Sequence, residues 1–337
     1  MEEKLIGIDI GSQYIKVCKV VNANKKNISV YSTLENVSKM DNQQKQMAIR
    51  NLMNKINIEK DNAFLAVGGS DIINRDVVLS KLEANSKDFK NAIIRKLKDS
   101  ISENIDSMYT AYAVTRDISD KEICVLFSAV QQQKVKDIIS LLDNFNDINV
   151  VGITMEALAV ANAFIEFGPE YKKSENIMLL NIGKTITNLV VLNKEKIVFI
   201  KDFDFGGQNI TGDIANVYLV PERLAEEIKI RTDLREKINF NMKNILKRSV
   251  SSLIDTVFRT IEYCTTRQLI LSVDRIIITG GASVTEGLDI FIGETLGINT
   301  ERWDPLMNNN IVGYSDKNYG PFISVALGLA LEKKGGI

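Results

Sequence analysis

The pattern of apolar and polar positions predicts a mixed α/β unit at the start of the chain. Residues 5–10 form an apolar, β-branched run, a Gly-Ser-Gln turn follows, and residues 14–21 return to the strand pattern. Further strands are predicted at residues 28–32 and 62–67, with a helix over residues 42–55 between them. The chain therefore begins with a predicted hairpin, followed by a strand–helix–strand segment.

A different pattern occupies residues 77–153. An apolar residue recurs every four positions from Phe89 to Ile105, which predicts one face of an amphipathic helix. The strand patterns around it lie at residues 109–115, 123–130 and 150–154. Because the earlier pattern resumes after this segment, we expect residues 77–153 to form a small inserted α/β subdomain.

The second half of the chain begins like the first. Residues 7–12 align with residues 179–184 at an offset of 172, and in both places a strand, a glycine turn and a second strand follow one another. Such an internal repeat predicts two similar lobes that face each other across a cleft. One long helix is predicted over residues 241–271, and a last helix over residues 322–333.

Together these patterns predict an α/β fold with two lobes, duplicated mixed-sheet subdomains and a small insertion in the first lobe. The expected division is a first lobe of residues 1–76 and 154–175, an insertion of residues 77–153, a second lobe of residues 176–212 and 273–337, and a helical subdomain of residues 213–272.

Composition restricts the chemistry. The 337 residues include no histidine, which excludes Ser-His-Asp and Cys-His nucleophilic sites and histidine-bearing zinc sites. The 42 basic and 43 acidic residues give a net charge of -1, so we expect no nucleic-acid partner. No signal-peptide pattern and no apolar run of about 20 residues is present, and the sequence stops directly after the last predicted helix. We therefore expect a cytoplasmic protein without a membrane anchor.

Three glycine turns that follow strands are suited to binding phosphate. Glycine lets the backbone approach a phosphate closely, and successive N–H groups form an anion-binding nest. Asp9, at the end of its strand, can hold a water-coordinated magnesium ion. Hydroxyl and ammonium groups beside the turns can add contacts: Ser12, Lys16, Lys184 and Thr185. One such turn is common, but two at matched positions with a third at residues 279–283 indicate a nucleotide site.

These turns resemble three motifs of the actin-like ATPase superfamily, which also contains sugar kinases and heat-shock chaperones. Residues 8–12 (Ile-Asp-Ile-Gly-Ser) resemble its first phosphate motif, residues 181–185 (Asn-Ile-Gly-Lys-Thr) its second, and residues 278–283 (Ile-Thr-Gly-Gly-Ala-Ser) its adenosine motif. The resemblance implies ATP or ADP with Mg²⁺ as cofactors. The nucleotide contacts that it implies in these motifs are Gly11, Ser12, Gln13, Tyr14, Lys16, Asn181, Gly183, Lys184, Thr185, Gly280, Gly281, Ala282 and Ser283.

Two further segments resemble parts of the same superfamily. Residues 205–211 are similar to a Gly-Gly turn that follows the second motif, which adds Gly206 and Gly207 to the cofactor contacts. Glu226 and Lys229 match a Glu-x-x-Lys helix that faces the adenosine in relatives.

The resemblance also implies catalytic and metal-site residues. Glu156 begins what looks like the superfamily's first connecting helix, so Glu156 would orient an attacking water and Asp9 would hold the waters of the metal. Asp9 and Asn181 are the implied metal-site residues. Asn181 stands where the superfamily usually has aspartate, and Ala157 replaces a frequent proline. Both departures bear on turnover more than on nucleotide binding.

Within this superfamily the chain resembles the PilM family of type IV pilus assembly over nearly its whole length. The insertion lies where that family and FtsA carry an extra subdomain, and four segments read like PilM segments: residues 203–207, 225–229, 273–281 and 321–331. The resemblance implies an ATP-binding scaffold at the inner face of the cytoplasmic membrane. Its implied partner is the N-terminal cytoplasmic tail of PilN, in a groove between the first lobe and residues 77–153. Pilus motor ATPases and self-association are further implied contacts.

Three alternatives remain open from the sequence. They are an FtsA-like filament-forming cell-division protein, a small-molecule kinase of the same fold, and a protein that binds nucleotide for stability alone. The scaffold hypothesis includes slow ATP hydrolysis as a second activity. The residues are compatible with hydrolysis and do not require it.

Overall fold

The computed structural model describes residues 5–24, 27–58, 61–98, 101, 104–143, 145–146, 148–236, 240–307, 311–312 and 317–332. Its strands are β1 (Leu5–Ile10), β2 (Tyr14–Asn24), β3 (Asn27–Asn36), β4 (Asp61–Val67), β5 (Ile73–Ser80), β6 (Met108–Asp117), β7 (Glu122–Gln131), β8 (Ile148–Met155), β9 (Asn176–Ile182), β10 (Thr187–Asn193), β11 (Lys196–Phe203), β12 (Arg275–Thr279), β13 (Asn299–Arg302) and β14 (Ile311–Val312). Its α-helices are α1 (Asn42–Lys55), α2 (Lys81–Ala84), α3 (Phe89–Leu97), α4 (Gln132–Ser140), α5 (Glu156–Phe167), α6 (Gly207–Tyr218), α7 (Glu222–Ile230), α8 (Thr232–Glu236), α9 (Met242–Ser249), α10 (Ser251–Thr266), α11 (Leu288–Leu296) and α12 (Ser324–Leu329).

Two sheets repeat the same topology, which confirms the predicted two-lobed α/β fold. The first sheet has the order β14-β3-β2-β1-β4-β8, and the second has the order β11-β10-β9-β12-β13. In each, an antiparallel meander (β1–β3 or β9–β11) is followed outward by two parallel strands. Parallel strands are buried on both faces and read as continuous apolar runs, as Ile177 to Leu180 do.

The lobes share one core. Helices α5 and α12 pack against each other, and their buried side chains join one cluster with residues of both sheets, including Leu5 and Leu179. A Cβ on Gly328 would overlap the carbonyl oxygen of Ala159, so the two helices approach at backbone distance. A second core lies between the second sheet and helices α6, α7, α9 and α10.

A third sheet, β5-β7-β6, forms the inserted module together with α3. Its central strand β7 is buried along almost its whole length, and Phe127 is 1% exposed. The predicted insertion ran to residue 153, but β8 pairs in parallel with β4 in the first sheet. Leu141 and Leu142, which follow α4, also pack into the first-lobe core. Residues 73–131 therefore carry the third sheet, and the chain returns to the first lobe after them.

Two predicted helices are shorter in the structure. The long helix is divided at Val250 into α9 and α10, and it ends at Thr266. Ser249 Oγ donates to the carbonyl oxygen of Ile245, a side-chain bond that competes with the helical backbone and bends helices. The last helix begins at Ser324 because Pro321 lies in a preceding 3₁₀ segment.

The C-terminal segment contacts the first lobe. Strand β14 pairs with β3, and α12 packs on β1 and α5. The predicted division assigns residues 273–337 wholly to the second lobe, whereas β14 and α12 contact the first. No helix within the described ranges is long and apolar enough to cross a bilayer.

Candidate functional site

The two glycine-turn hairpins have the same register. Asp9 lies opposite Lys16 across β1–β2, and Asn181 lies opposite Asn188 across β9–β10. Each residue of the second pair is 172 positions beyond its counterpart in the first. Residues related by the offset of 172 therefore occupy equivalent positions in the two sheets.

The two turns also close in the same way. The Gly11 N–H donates to the Tyr14 carbonyl at 3.0 Å, and the Gly183 N–H donates to the Ile186 carbonyl at 2.9 Å. Both turns open onto one cleft of about 270 Å³ between the lobes. The residues that line it are Asp9, Ile10, Gly11, Ser12, Gln13, Tyr14, Lys16, Gly68, Glu156, Asn181, Gly183, Lys184, Thr185, Ile186, Gly207, Glu226, Lys229, Ile230, Gly280, Gly281, Ala282, Val284, Phe322 and Val325.

The structure brings together all but two of the predicted site residues. Gly206 lies behind the lining, where its N–H donates to Asn209 Oδ1 and its position allows the Gly207 N–H to reach the Gly183 carbonyl. Ser283 is buried, and its hydroxyl donates to the Gly280 carbonyl at 2.7 Å. Both residues therefore shape the glycine turns and do not face the cleft.

Asp9 and Lys16 form an ion pair at the floor of the cleft. The Lys16 ammonium donates to Asp9 Oδ2 at 2.6 Å, with both side chains largely buried. The neutralised pair leaves less negative charge facing a phosphate than an isolated carboxylate would. Lys16 Nζ also lies close to Gly11, beside the N–H groups of the first turn.

Glu156 stands at the first turn of α5 and points towards Gly68 at the end of β4. A Cβ on Gly68 would overlap the Glu156 carboxylate, so any other residue at this position would displace that carboxylate. Burial, reinforced by the nearby Asp9 and Asp202 carboxylates, raises the pKa of Glu156 to about 7. A carboxyl with a pKa near neutrality can accept a proton from a water that it orients.

At the opposite side of the cleft, Lys229 is held in a buried network. Its ammonium donates to Glu226 at 2.7 Å, to Thr211 Oγ1 at 2.9 Å and to the Gly207 carbonyl at 3.3 Å. Burial lowers the pKa of Lys229, and the Glu226 carboxylate opposes that change. This network ties α7 to the start of α6, whose first residue, Gly207, lines the cleft.

The third glycine turn requires its glycine. Gly280 has a φ of 86°, and a Cβ there would overlap Asn181 Oδ1 and the Ile182 backbone. Its N–H donates to the Pro321 carbonyl at 3.0 Å, which ties the turn to the segment before α12. Phe322 from that segment reaches the cleft and meets the Tyr14 ring edge-on at 5.4 Å.

The donor set fits a nucleotide and a hydrated cation. Three lysines, Lys16, Lys184 and Lys229, and the residues of three glycine turns line one cavity. Within the described part of the chain no group of three Asp, Glu, Cys or His side chains could hold a bare metal ion. A magnesium ion would therefore reach Asp9 and its neighbours through water and through the phosphates.

Sequence reasoning missed several residues at the cleft. The only sequence signal for Gly68 is that it follows the predicted strand of residues 62–67, and Asn188 follows from applying the offset of 172 to Lys16. No sequence pattern indicates that Asp202 lies near the cleft, because its position beside Asn188 depends on the pairing of β10 with β11. Phe322 lies about 300 residues along the chain from Tyr14 and reaches it only through the fold.

A second, larger cavity of about 750 Å³ lies between the inserted module and the first lobe. Seven consecutive residues, 109–115 of β6, form one wall, so the strand edge itself borders the cavity. Among the described strands β6 pairs with β7 alone. The facing wall comes from α5 and β8 and includes Leu158 and Ile165, while Glu195, Lys196 and Glu332 lie at its border. We call this cavity the module groove.

The family model for type IV pilus assembly protein PilM matches residues 7–334 of this chain. The chain belongs to the PilM family. Its similarity to a chain of the structure described as the PilM–PilN type IV pilus biogenesis complex has a TM-score of 0.78 at 20% identity, with 97% of each chain covered. The two chains therefore share the fold over nearly their whole lengths.

Two other solved structures share the fold more distantly. The ethanolamine utilization protein EutJ of Carboxydothermus hydrogenoformans has a TM-score of 0.58 at 15% identity, covering 98% of this chain and 90% of that one. MreB5 of Spiroplasma citri, solved bound to ADP, has a TM-score of 0.53 at 11% identity, covering 97% of this chain and 95% of that one. These likenesses identify the actin-like ATPase fold.

Proposed function

We propose that this chain is an ATP-binding scaffold of the type IV pilus assembly platform, and that it binds the cytoplasmic N-terminal tail of PilN. The observation that carries the nucleotide half is the convergence of three glycine turns, from both lobes, on one cleft that also holds three ammonium groups. MreB5, which has the same fold, was solved with ADP bound, and this agrees with the proposal.

In this proposal different residues of the cleft bind different parts of the nucleotide. Lys16, Lys184 and the turn N–H groups bind the phosphates, while Glu226 and Lys229 bind the adenosine end. Asp9 holds water on the magnesium ion. A nucleotide that contacts both lobes biases their relative orientation by its differential affinity for the possible arrangements. If hydrolysis occurs, phosphoryl transfer relies on positioning and charge, and Glu156 orients the water.

Titration calorimetry of ATP with magnesium tests the nucleotide half. We expect binding by the unmodified chain and a loss of at least tenfold in Asp9→Ala, since a residue that holds the metal's waters is removed. The matched control is Asp213→Asn, on α6 and outside the cleft lining, which should bind normally. Equal ATP affinity of Asp9→Ala and the unmodified chain would contradict the assignment of Asp9.

The partner half of the proposal rests on the module groove. A cavity walled by an unpaired strand edge on one side and apolar side chains on the other suits an extended peptide, because main-chain hydrogen bonds and side-chain pockets are both offered. In the similar structure, PilM is in complex with PilN. A tail bound in this groove would hold the chain at the inner face of the cytoplasmic membrane.

Fluorescence anisotropy with a labelled PilN tail peptide tests the groove. Val114 lines the groove and is 55% exposed, so Val114→Arg adds a charge without disturbing a packed core. We expect it to weaken peptide binding by about tenfold or more, as a charge at an apolar contact does. Ile118→Arg is the matched control, because Ile118 is 46% exposed just beyond β6 and outside the groove lining. Equal loss in both variants, or no loss in either, would reject the groove as the binding site.

A further inference from the structure

The two glycine-turn hairpins carry different side-chain pairs at equivalent positions. The first hairpin has an ion pair, Lys16 to Asp9 at 2.6 Å. The second has two amides, with Asn181 Nδ2 donating to Asn188 Oδ1 at 2.6 Å. An ion pair has only one arrangement of donor and acceptor, whereas a pair of amides has two. Something else must therefore fix which end of each amide faces the cleft.

That additional group is on the next strand of the second sheet. Asp202 of β11 lies in register opposite Asn188, so Asn181, Asn188 and Asp202 are cross-strand neighbours on three adjacent strands. Asn188 Nδ2 donates to Asp202 Oδ1 at 2.9 Å. The corresponding neighbour of Lys16 in the first sheet is Leu34, which has no polar group to offer.

The carboxylate of Asp202 accepts at both oxygens. Besides Asn188, the Gly69 N–H donates to Asp202 Oδ2 at 3.1 Å. Gly69 belongs to the first lobe, so this bond also crosses between the lobes. Burial raises the pKa of Asp202, while its bonds from Asn188 and Gly69 favour the ionised form. An ionised carboxylate can only accept hydrogen bonds.

The orientation of both amides follows from that restriction. Because Asp202 accepts, Asn188 must turn its NH₂ towards Asp202 and its oxygen towards Asn181. Asn181 must then donate its own NH₂ to Asn188. Its Oδ1 is left free to accept a hydrogen bond from another group. The structure has Asn181 Oδ1 next to Gly280, where even a Cβ would overlap it.

We propose that Asp202 is a positioning residue of the nucleotide cleft, which makes Asn181 present an oxygen, and not an NH₂ group, where a magnesium-bound water is held. The chain thereby keeps an acceptor at this position, although the residue there is an amide. This inference rests on the proposed nucleotide function. In this inference the negative charge beside Asn181 is the Asp202 carboxylate, which lies on β11, two strands away from β9.

The arrangement predicts how exchanging the amide and the carboxylate between positions 181 and 202 affects the bonds. Asn181→Asp alone puts two acceptors against each other, the introduced carboxylate and Asn188 Oδ1, and turning Asn188 only moves the conflict to Asp202. Asp202→Asn alone lets Asn188 adopt either orientation or leaves the Gly69 N–H facing a donor. The double variant Asn181→Asp/Asp202→Asn reverses both side-chain bonds, and the oxygen of the introduced amide at position 202 still accepts from the Gly69 N–H.

The experiment measures ADP affinity by calorimetry with magnesium and with EDTA, together with urea unfolding of the nucleotide-free protein. We expect magnesium to tighten ADP binding in the unmodified chain, and Asp202→Asn to reduce that tightening about tenfold, the value of one hydrogen bond to a charged group. Asn181→Asp should lower the urea midpoint, and the double variant should recover both the midpoint and the magnesium effect. Asp255→Asn, exposed on α10, is the control and should change neither.

The outcomes separate this inference from the proposed function. If the unmodified chain does not bind ADP with magnesium, the proposed function fails and the magnesium part of the inference fails with it. If it binds and Asp202→Asn leaves the magnesium effect unchanged, the inference alone is overturned. Additive effects of the two substitutions on the urea midpoint, with no recovery in the double variant, would also overturn it, whatever the result for ADP.

Discussion

Glu156→Gln removes an ionisable group from the cleft while keeping the shape of the side chain. In the folded protein Glu156 is enclosed by Gly68 and lies near the Asp9 and Asp202 carboxylates. Burial is the larger cause and the two carboxylates the smaller ones, and together they raise its pKa from 4.5 to about 7. In the unfolded chain the same carboxyl is solvated and titrates near 4.5.

The sign of the effect on stability follows from linkage. Because the folded pKa is the higher one, the folded state binds more protons than the unfolded state between pH 4.5 and about 7. The contribution of Glu156 to stability is therefore greatest below pH 4.5 and is lost as the pH rises through about 7. A change of pKa from 4.5 to about 7, at about 1.4 kcal/mol per pH unit, corresponds to about 3 kcal/mol of unfolding free energy.

Urea unfolding without nucleotide, from about pH 5 to about pH 8, measures this contribution. Trp303 is the one tryptophan in the sequence and is buried against Phe164, so its fluorescence reports the loss of the shared core. We expect the unfolding free energy of Glu156→Gln to rise relative to that of the unmodified protein as the pH rises, by up to about 3 kcal/mol over this range. Carboxyls far from Glu156 titrate alike in both proteins and cancel in the difference.

The control is Glu262→Gln, which removes an exposed carboxylate from α10. Its difference from the unmodified protein should not vary with pH. A flat difference for Glu156→Gln as well, or one that falls as the pH rises, would refute the reasoning that burial and two neighbouring carboxylates hold a proton on Glu156.

Three further substitutions test other parts of the structure. Gly280→Ala should lower the unfolding free energy by about 1–3 kcal/mol, because its φ is positive and a Cβ overlaps Asn181, and thermal unfolding measures this. Lys16→Met leaves the buried Asp9 carboxylate unpaired, so we expect a loss of about 3–5 kcal/mol in urea unfolding, most of it recovered in the double variant with Asp9→Ala. Phe127→Ala opens a cavity in the inserted module and should cost about 3–5 kcal/mol, measured in the same way.

The cleft was largely predictable because its residues are marked locally. A strand end, a glycine and a polar side chain recur together, and glycine is needed wherever the backbone turns tightly towards a ligand. The offset of 172 relates the two hairpins, and the structure has them in the same register, with Asp9 and Asn181 at matching positions. The Glu-x-x-Lys pair of α7 lies on one helical face by its spacing alone, and its side chains meet at 2.7 Å.

Other features depended on contacts between distant segments. Strand β8 has the pattern of any strand, and only packing assigned it to β4 in the first sheet. The side-chain bond of Ser249 to the Ile245 carbonyl, beside the break at Val250, is not visible in an apolar stripe that continues through that break. Phe322 and the C-terminal helix α12 return to the first lobe because α12 and α5 bury each other's apolar faces.

The sequence by itself therefore determined the duplicated α/β lobes, the three glycine turns and the charged groups beside them, because short-range periodicity and turn chemistry specify them. Tertiary structure alone decided which end of the Asn181 amide faces the cleft, since that depends on Asn188 and on Asp202 one strand further on. Hydrogen-bond direction passes from strand to strand across a sheet, and the partners in such a chain are set by register and not by distance along the sequence.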